Sequence, residues 1–242
     1  MKLKSSVSNL KEVMDILSSI TNEAKLEFDV DGLKVRAIDS ARIAMVDLFV
    51  PKESFISYET DEKVEVSVEL DKIKSVLRLA SQSDDLSLTI SGSKMKFSLG
   101  NLTKTISTLD TFVNSPKLPT VDPKNYVVIR KADLDKGLRA ATDVRDSIKF
   151  TIEDKRFEAS SKSESEEVNL VIDNENLIEI RNQEKASSSY PLDYLSKIIR
   201  AISFAETLKI AFNNDYPLVM EFNFSNRDGV KVARFLLAPR IE

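Results

Sequence analysis

The feature that most constrains the fold is an amphipathic helix followed by several strands, a pattern that occurs four times at intervals of roughly sixty residues. The four helices are predicted to begin near Ser8, Glu69, Ala132 and Pro191. The two halves also match in detail, because residues 24–28 resemble 148–152 and residues 70–78 resemble 192–200. We therefore predict two similar domains, each built from two helix-plus-strands units.

Outside the helices, apolar and polar residues alternate with a period of two, which is typical of strands packed on one face and hydrated on the other. Clear examples are residues 63–68 and 94–99 in the first half, and 147–152 and 219–224 in the second. Residues 160–167 are polar and charged, and we interpret them as a solvated loop. The whole pattern predicts an α+β fold in which two helices per domain pack on antiparallel sheets.

A proline-rich segment lies midway between the two repeats. Three prolines fall within eight residues, which rules out a helix and disfavours a central strand. We interpret residues 112–125 as an extended connector between an N-terminal domain, 1–111, and a C-terminal domain, 126–242. The connector cannot bury its own Leu118 and Val121, so these side chains either pack on a sheet or line a binding surface.

The residue types that the chain lacks restrict its chemistry. Its 242 residues include no cysteine and no histidine, which excludes disulfides, cysteine zinc sites and catalysis by serine–histidine or cysteine–histidine pairs. The five glycines are scattered singly, so no glycine-rich phosphate loop is present. We therefore predict a binding protein and not an enzyme, with no catalytic residue, no metal site and no cofactor.

The polar faces of the predicted helices carry cations at equivalent places. Arg78, Arg139 and Arg200 are separated by 61 residues and then by 61 again. A surface that presents such cations attracts phosphate without reading bases. The ordinary alternative is that each arginine is simply solvated. The net charge of −4, and acids on the same faces, indicate that any phosphate contact is weak.

Two short motifs carry a family resemblance. One is Ala-Ile-Asp-Ser at residues 37–40 and the other is Leu-Ala-Pro-Arg-Ile at 237–241, with Leu118 and Pro119 of the connector in support. Over nearly its whole length, the chain resembles the proliferating cell nuclear antigen family of sliding clamps in its archaeal form. The resemblance implies the DNA-clamp fold and a homotrimeric ring around double-stranded DNA, acting as a processivity factor in replication and repair.

The resemblance also implies that helices line the hole of the ring and that cations on them face the DNA. The residues concerned are, by position in the family, Lys11, Arg78, Lys136, Arg139 and Arg200, and, from the helical face alone, Lys74 and Lys197. These contacts would be independent of DNA sequence.

Members of this family recruit partners through a short peptide that enters a hydrophobic pocket beneath the connector and pairs with the C-terminal tail. The implied partners are DNA polymerase, flap endonuclease and DNA ligase, and an ATP-dependent clamp loader is implied for placing the ring on DNA. The matching pocket wall consists of Ile38, Arg42, Ile43, Met45, Leu118, Val121, Pro217, Leu236, Ala238, Pro239 and Ile241.

Closing a ring requires strand edges that pair between subunits. By resemblance, residues 102–109 and 168–172 form such edges and meet head to tail, a heterologous contact that closes when the rotation is right. The side chains assigned to this subunit interface are Leu102, Thr103, Thr105, Ile106, Thr108, Val168, Leu170 and Ile172.

Two alternatives stay open from the sequence. The chain could be one subunit of a heterotrimeric clamp with specialised partner choice, or Asp39, Asp47 and Glu69 could form the metal-binding carboxylate set of an enzyme. No run approaches about 18 apolar residues and residues 1–6 lack the apolar core of a signal peptide, so we expect a cytoplasmic protein without a membrane partner.

Overall fold

The computed structural model describes residues 1–81, 83–110, 113–226 and 229–241, with the backbone only at 224–226 and 229–230. Thr111 and Phe112, at the predicted junction of the first domain and the connector, lie outside the described residues, and so does Glu242. The predicted bounds 1–111, 112–125 and 126–242 therefore stay predictions.

The described chain forms two units, each held together by its own contacts. The first contains residues 1–40, 46–117 and 223–233, and the second contains residues 41–45, 118–222 and 234–242.

The first half of the chain alternates strands with two helices in an order that the second half repeats. Its strands are β1 (Lys2–Ser6), β2 (Glu23–Asp29), β3 (Gly32–Ile38), β4 (Ala44–Pro51), β5 (Ser57–Glu59), β6 (Val64–Glu69), β7 (Asp85–Ser91), β8 (Lys94–Leu99) and β9 (Leu102–Ser107). Its helices are α1 (Val7–Ser18), after β1, and α2 (Leu70–Leu77), after β6, with a single 3-10 turn at Lys52–Ser54.

The second half contains the same kinds of element in the same places. Its strands are β10 (Asn125–Arg130), β11 (Ser147–Glu153), β12 (Arg156–Lys162), β13 (Glu167–Ile172), β14 (Glu179–Arg181), β15 (Ala186–Pro191), β16 (Thr207–Phe212), β17 (Leu218–Asn226) and β18 (Gly229–Leu237). Its helices are α3 (Lys131–Ala141), after β10, and α4 (Leu192–Ala201), after β15. The predicted repeat is confirmed, and each helix begins one residue from its predicted start.

The local sequence explains why each helix begins directly after a strand. Ser6 caps α1, because its hydroxyl accepts a hydrogen bond from the Asn9 amide at 3.3 Å. The other three helices have no side-chain cap, but each has an acid in its first turn: Asp71, Asp133 and Asp193. A carboxylate at this place interacts favourably with the helix dipole, by about 0.3–1 kcal/mol when exposed.

The apolar helix faces are buried as the periodicity predicts. Val13, Leu17 and Val76 are completely buried in the first unit, where α1 packs beside α2. In the second unit, where α3 packs beside α4, Leu195 and Ile199 are likewise completely buried. Burial of each such side chain stabilises the fold by about 1.5–3 kcal/mol.

The strands form antiparallel sheets within each unit. In the first unit, the order β5-β1-β7-β8-β9 makes one sheet, and β4-β3-β2-β6 are neighbours in another. In the second unit, the corresponding orders are β13-β12-β11-β15 and β14-β10-β16-β17. Both β9 and β13 therefore lie at a sheet edge in the described structure, and an edge strand presents unpaired backbone groups.

The predicted loop at residues 160–167 is wrong at both of its ends. Residues 160–162 complete β12, and Glu167 begins β13. Ser161 is only 4% exposed, and its hydroxyl donates to the Ser147 carbonyl at 3.0 Å. Because β12 pairs with β11 on one side and β13 on the other, backbone hydrogen bonds hold these polar residues in a strand.

Candidate functional site

The first unit brings three of the predicted DNA-facing cations to one cleft between α1 and α2. Lys11 and Arg78 are exposed, whereas Lys74 is half-buried and lies 3.3 Å from the Asp15 carboxylate. The cleft has a volume of about 390 Å³, and all four side chains line it. Among the described residues, neither Lys11 nor Arg78 has an ion-pair partner, so both cations are available to an external anion.

The second unit places the other four cations on the exposed sides of α3 and α4. Arg139 is 75% exposed and donates twice to Asp135, from Nε at 3.2 Å and from Nη2 at 2.7 Å. Lys197 lies 3.6 Å from Asp193, and Lys136 and Arg200 are exposed. Because the side chains of Arg139 and Lys197 stay largely exposed, these ion pairs reduce the positive field of the helices without removing it.

The predicted partner pocket draws most of its residues from the second unit. The predicted residues of this unit come from the segment 41–45, the connector, Pro217 just before β17, and the C-terminal tail. The Ala238 amide donates to the Ile43 carbonyl at 2.8 Å, which joins the tail to the segment before β4. Ile38 belongs to the first unit, and its place in the pocket stays a prediction.

The predicted wall residues differ in how much of each side chain a peptide could reach. Met45 and Leu236 are 7% and 5% exposed, so they belong to the core beneath any binding surface. Ile241 is 86% exposed and extends from the tail. The remaining apolar residues are half-buried and offer accessible apolar surface: Ile43, Leu118, Val121, Pro217, Ala238 and Pro239. Arg42 is exposed and has a left-handed backbone, with φ at 59°.

Side chains that the sequence did not point to anchor both ends of the connector. In the first unit, the Ser115 hydroxyl donates to Glu27 at 2.8 Å, and Arg36 donates to the Pro116 carbonyl at 3.4 Å. The Arg36 guanidinium is itself held by Asp47 at 3.0 Å. These partners are distant in sequence, so no local pattern could have revealed them.

In the second unit, the connector is anchored by its backbone. The Arg234 guanidinium donates from Nη2 to the Val121 carbonyl at 3.2 Å, and its Nε lies 3.2 Å from Glu221. The Lys124 amide donates to the Asn213 side chain at 3.1 Å. The connector is therefore an extended segment whose position is set by side chains of the sheets.

A charged network surrounds the Ser115 anchor. Lys63 lies 2.8 Å from Glu27 and 2.5 Å from Glu65, and Lys25 lies 2.7 Å from Glu65. Partial burial raises the pKa of Glu27, but hydrogen bonds from Lys63 and Ser115 and the charge of Lys25 lower it by more. The pKa of Glu27 consequently lies below its ordinary value, and its carboxylate stays charged well into the acidic range.

The residues predicted to form the subunit interface lie on the two edge strands, with their side chains on different faces. On β9, Leu102, Thr103 and Thr105 are exposed, Thr108 just after it is half-buried, and Ile106 is 8% exposed. On β13, Ile172 is 4% exposed, and Val168 and Leu170 are half-buried. Ile106 and Ile172 therefore pack within their own units, and only their backbones are available for pairing with another chain.

The carboxylates proposed as an enzyme's metal set do not come together. Asp39 is buried, Asp47 pairs with Arg36, and Glu69 lies 2.7 Å from Lys72. Within the described residues, no group of three or more acids could hold a metal ion. None of the described helices is long and apolar enough to span a membrane.

Comparison with known proteins shows similarity over the whole chain. Residues 1–106 match the N-terminal domain of proliferating cell nuclear antigen, and residues 122–240 match its C-terminal domain. The DNA polymerase sliding clamp of Thermoplasma acidophilum is 44% identical, over 100% of this chain and 99% of the relative. The DNA polymerase sliding clamp of Picrophilus torridus is 41% identical, over the same shares of the two chains.

Solved structures agree with this similarity. A. fulgidus PCNA, solved with the C-terminal region of FEN-1 bound, is 26% identical with a TM-score of 0.91, over 100% of this chain and 98% of that chain. PCNA from Thermococcus kodakaraensis is 26% identical with a TM-score of 0.89, over 99% of both chains. A chain of the Sulfolobus tokodaii PCNA2–PCNA3 complex is 25% identical with a TM-score of 0.84, over 100% of both. The predicted two-domain clamp fold is confirmed.

Proposed function

Because this chain belongs to the proliferating cell nuclear antigen family, it is a DNA sliding clamp and not an enzyme, and we propose that three identical copies close into a ring around duplex DNA. The observation that carries the proposal is the set of cations exposed on the helices of both units. Lys11, Arg78, Lys136 and Arg200 have no ion-pair partner in the described part of the chain. Phosphates of any sequence can bind such side chains.

Weak DNA contacts suit this role. Lys74, Arg139 and Lys197 each lie close to an aspartate on the same helical surface, and the whole chain carries a net charge of −4. A protein that holds DNA by enclosing it needs no tight phosphate contact, and a tight one would slow its movement along the duplex.

The edge strands support ring closure. A β9 edge of one copy can pair with a β13 edge of the next, because both present unpaired backbone groups in the described structure. We infer a homotrimer, in which the same heterologous contact occurs three times. The Sulfolobus tokodaii complex contains two different clamp chains, so the competing arrangement is a ring of this chain with paralogues.

We also propose that partner proteins bind at the half-buried apolar surface of the tail and connector, defined by Ile43, Leu118, Val121, Pro217, Ala238 and Pro239. The C-terminal region of FEN-1 binds A. fulgidus PCNA, which supports a flap endonuclease as one partner. DNA polymerase, DNA ligase and an ATP-dependent clamp loader are the other proposed partners, and the cytoplasm is the proposed location.

Charge reversal of the helix arginines tests the function. The variant Arg78→Glu, Arg139→Glu, Arg200→Glu should lower loader-dependent polymerase stimulation on primed circular DNA by roughly tenfold or more, because each reversal replaces phosphate attraction with repulsion. The mass of the assembly, measured by light scattering, should be unchanged.

The matched control makes the same charge change at three exposed cations outside the helices, with the substitutions Lys155→Glu, Arg156→Glu and Arg181→Glu. This control should stimulate the polymerase normally. Normal stimulation by the helix variant would show that the helices do not contact DNA.

A further inference from the structure

A cleft of about 520 Å³ opens in the second unit between α4 and the turn that follows α3. In the α1–α2 cleft all the charged residues lie on the helices or at the C-terminal end of α2, whereas here Arg145, Asp146 and Arg240 lie outside the helices. The cleft is lined by four cations, Arg145, Lys197, Arg200 and Arg240, and by two carboxylates, Asp146 and Asp193. The net charge of these six side chains is +2, whereas the net charge of the whole chain is −4. Neither Arg145 nor Arg240 belongs to the set predicted to face DNA.

Arg240 enters the cleft from the C-terminal tail. Its backbone amide donates to the Ser189 carbonyl at 2.7 Å, which fixes the tail against β15. Its guanidinium Nη1 lies 2.6 Å from the Asp146 carboxylate. Hydrogen bonding and charge from Arg240, together with the charge of Arg145, hold the pKa of Asp146 below its usual range. Two guanidinium groups therefore act on one carboxylate.

The Asp146–Arg240 pair can be exchanged for another anion at little cost. The two side chains are 67% and 45% exposed, and ion pairs with this exposure contribute little to stability. Arg200 is exposed in the same cleft and has no ion-pair partner in the part of the chain that the structure describes. Guanidinium groups match phosphate oxygens in geometry and bind them with two parallel hydrogen bonds.

We propose that this cleft binds a phosphate group of the DNA backbone, with Arg145 and Arg240 joining Arg200 as ligands and Asp146 competing with the phosphate for Arg240. The inference rests on the proposed DNA-facing role of α3 and α4 and extends it to residues of the α3–β11 turn and the tail. DNA is the favoured source of phosphate because Lys197 and Arg200, from the proposed DNA face, line the same cleft.

The test measures binding of the intact clamp to a short duplex as a function of salt. Arg145→Gln and Arg240→Gln should each weaken binding several-fold at low salt and reduce the slope of log K against log salt by up to about 0.9. Asp146→Asn should strengthen binding, since it releases Arg240. Arg156→Gln, an exposed arginine at the start of β12, is the matched control and should leave both quantities unchanged.

One further variant separates the cleft proposal from the proposed DNA-facing role of the helices. Arg139→Gln, on α3, should reduce the salt slope if the helices contact DNA. If Arg139→Gln reduces it while Arg145→Gln and Arg240→Gln behave like Arg156→Gln, the cleft proposal is overturned and the helical face stands. If none of these variants changes the slope, both proposals fail.

Inorganic phosphate distinguishes the two sources of the anion. If Arg145→Gln and Arg240→Gln weaken phosphate binding, followed by the NMR signals of arginine Nε–H groups, but leave the DNA slope unchanged, the cleft serves a free anion and the DNA assignment is overturned. Light scattering checks the assembly of each variant. Arg145→Lys and Arg240→Lys keep the charge and should retain the wild-type salt slope.

Discussion

Gly137 of α3 lies against the edge strand β13. A Cβ atom at this position would lie 2.8 Å from Leu170 Cδ2 and 3.2 Å from Leu170 Cβ. The residue is buried in the middle of the helix, where alanine would otherwise be favoured over glycine by about 1 kcal/mol. The Leu170 side chain of β13 therefore packs against α3 of its own unit, which limits what it can contribute to a subunit interface.

We predict that Gly137→Ala lowers the free energy of unfolding by about 1–2 kcal/mol, because the overpacking at Leu170 exceeds the gain in helix propensity. Urea unfolding monitored by circular dichroism measures this change. Ala140→Gly, at an exposed position of the same helix, calibrates the propensity alone. A Gly137→Ala protein more stable than wild type would show that Leu170 moves aside freely.

Leu118 is the residue that best tests the partner surface. Met45 and Leu236 are buried, so truncating them would damage the core, by about 2–5 kcal/mol for a large-to-small change, and would obscure any effect on binding. Leu118 is half-buried on the connector, and its truncation leaves the core intact.

We expect Leu118→Ala to weaken binding of a flap-endonuclease C-terminal peptide by about 1–2 kcal/mol, the size of a moderate interface residue. Isothermal titration calorimetry measures the dissociation constant. Val30→Ala truncates an apolar side chain outside the proposed surface, at a site that is 58% exposed, and should have no effect. Equal affinities for Leu118→Ala and wild type would place the peptide elsewhere.

Among the elements, the connector depends most on contacts outside itself. It has no strand or helix between residues 113 and 124, so its position follows from its anchors. Ser115 and Pro116 are held by the first unit, and Val121 and Lys124 by the second. Because the proposed partner surface includes Leu118 and Val121, these anchors also position the residues that a peptide would contact.

We predict that Ser115→Ala raises the rate of amide hydrogen exchange at residues 113–117 several-fold while lowering global stability by less than about 3 kcal/mol, the upper value for a hydrogen bond to a charged group. Ser91→Ala, at an exposed serine on β7, is the control. Unchanged exchange in the connector would mean that the Ser115–Glu27 contact does not restrain it.

Acidic pH should weaken the contact between Ser115 and Glu27. The pKa of Glu27 is lower in the folded protein than its ordinary value, so the stabilisation is present above the ordinary value and is lost as pH falls through the folded-state pKa. After correction for intrinsic rates, connector exchange in wild type should therefore accelerate at acidic pH. The variant Glu27→Gln, which does not titrate, should show no such acceleration.

For the whole molecule, the charges near the two edge strands are opposite in sign. Lys94, Lys96 and Lys104 lie on β8 and β9, whereas Glu167 begins β13 and Glu166 directly precedes it. Head-to-tail pairing of β9 with β13 would bring these charges together, so electrostatic attraction adds to backbone hydrogen bonding.

We predict that the chain alone has three times its monomer mass at micromolar concentration and low salt, and that about 1 M salt shifts it towards smaller species because charges are then screened within about 3 Å. Light scattering at several protein concentrations measures this. A chain that stays monomeric at every concentration, and assembles only with paralogues, would overturn the homotrimer.

Several properties of this protein were determined by the sequence alone, because they depend on local periodicity. The four helices, their buried stripes and the alternating strands follow from residues three or four apart in helices and two apart in strands. The outward cations Arg78, Arg139 and Arg200 follow from the same spacing, repeated at 61 residues.

Only the tertiary structure decided which distant side chains meet. Glu27 accepts a hydrogen bond from Ser115, and Arg240 forms an ion pair with Asp146. Met45, which the family resemblance assigned to the pocket wall, is buried in the core. It also turned Ser161 into a buried strand residue. The physical reason is that such contacts depend on sheet register and strand order, which join segments far apart in the chain and leave no periodic signal in either segment.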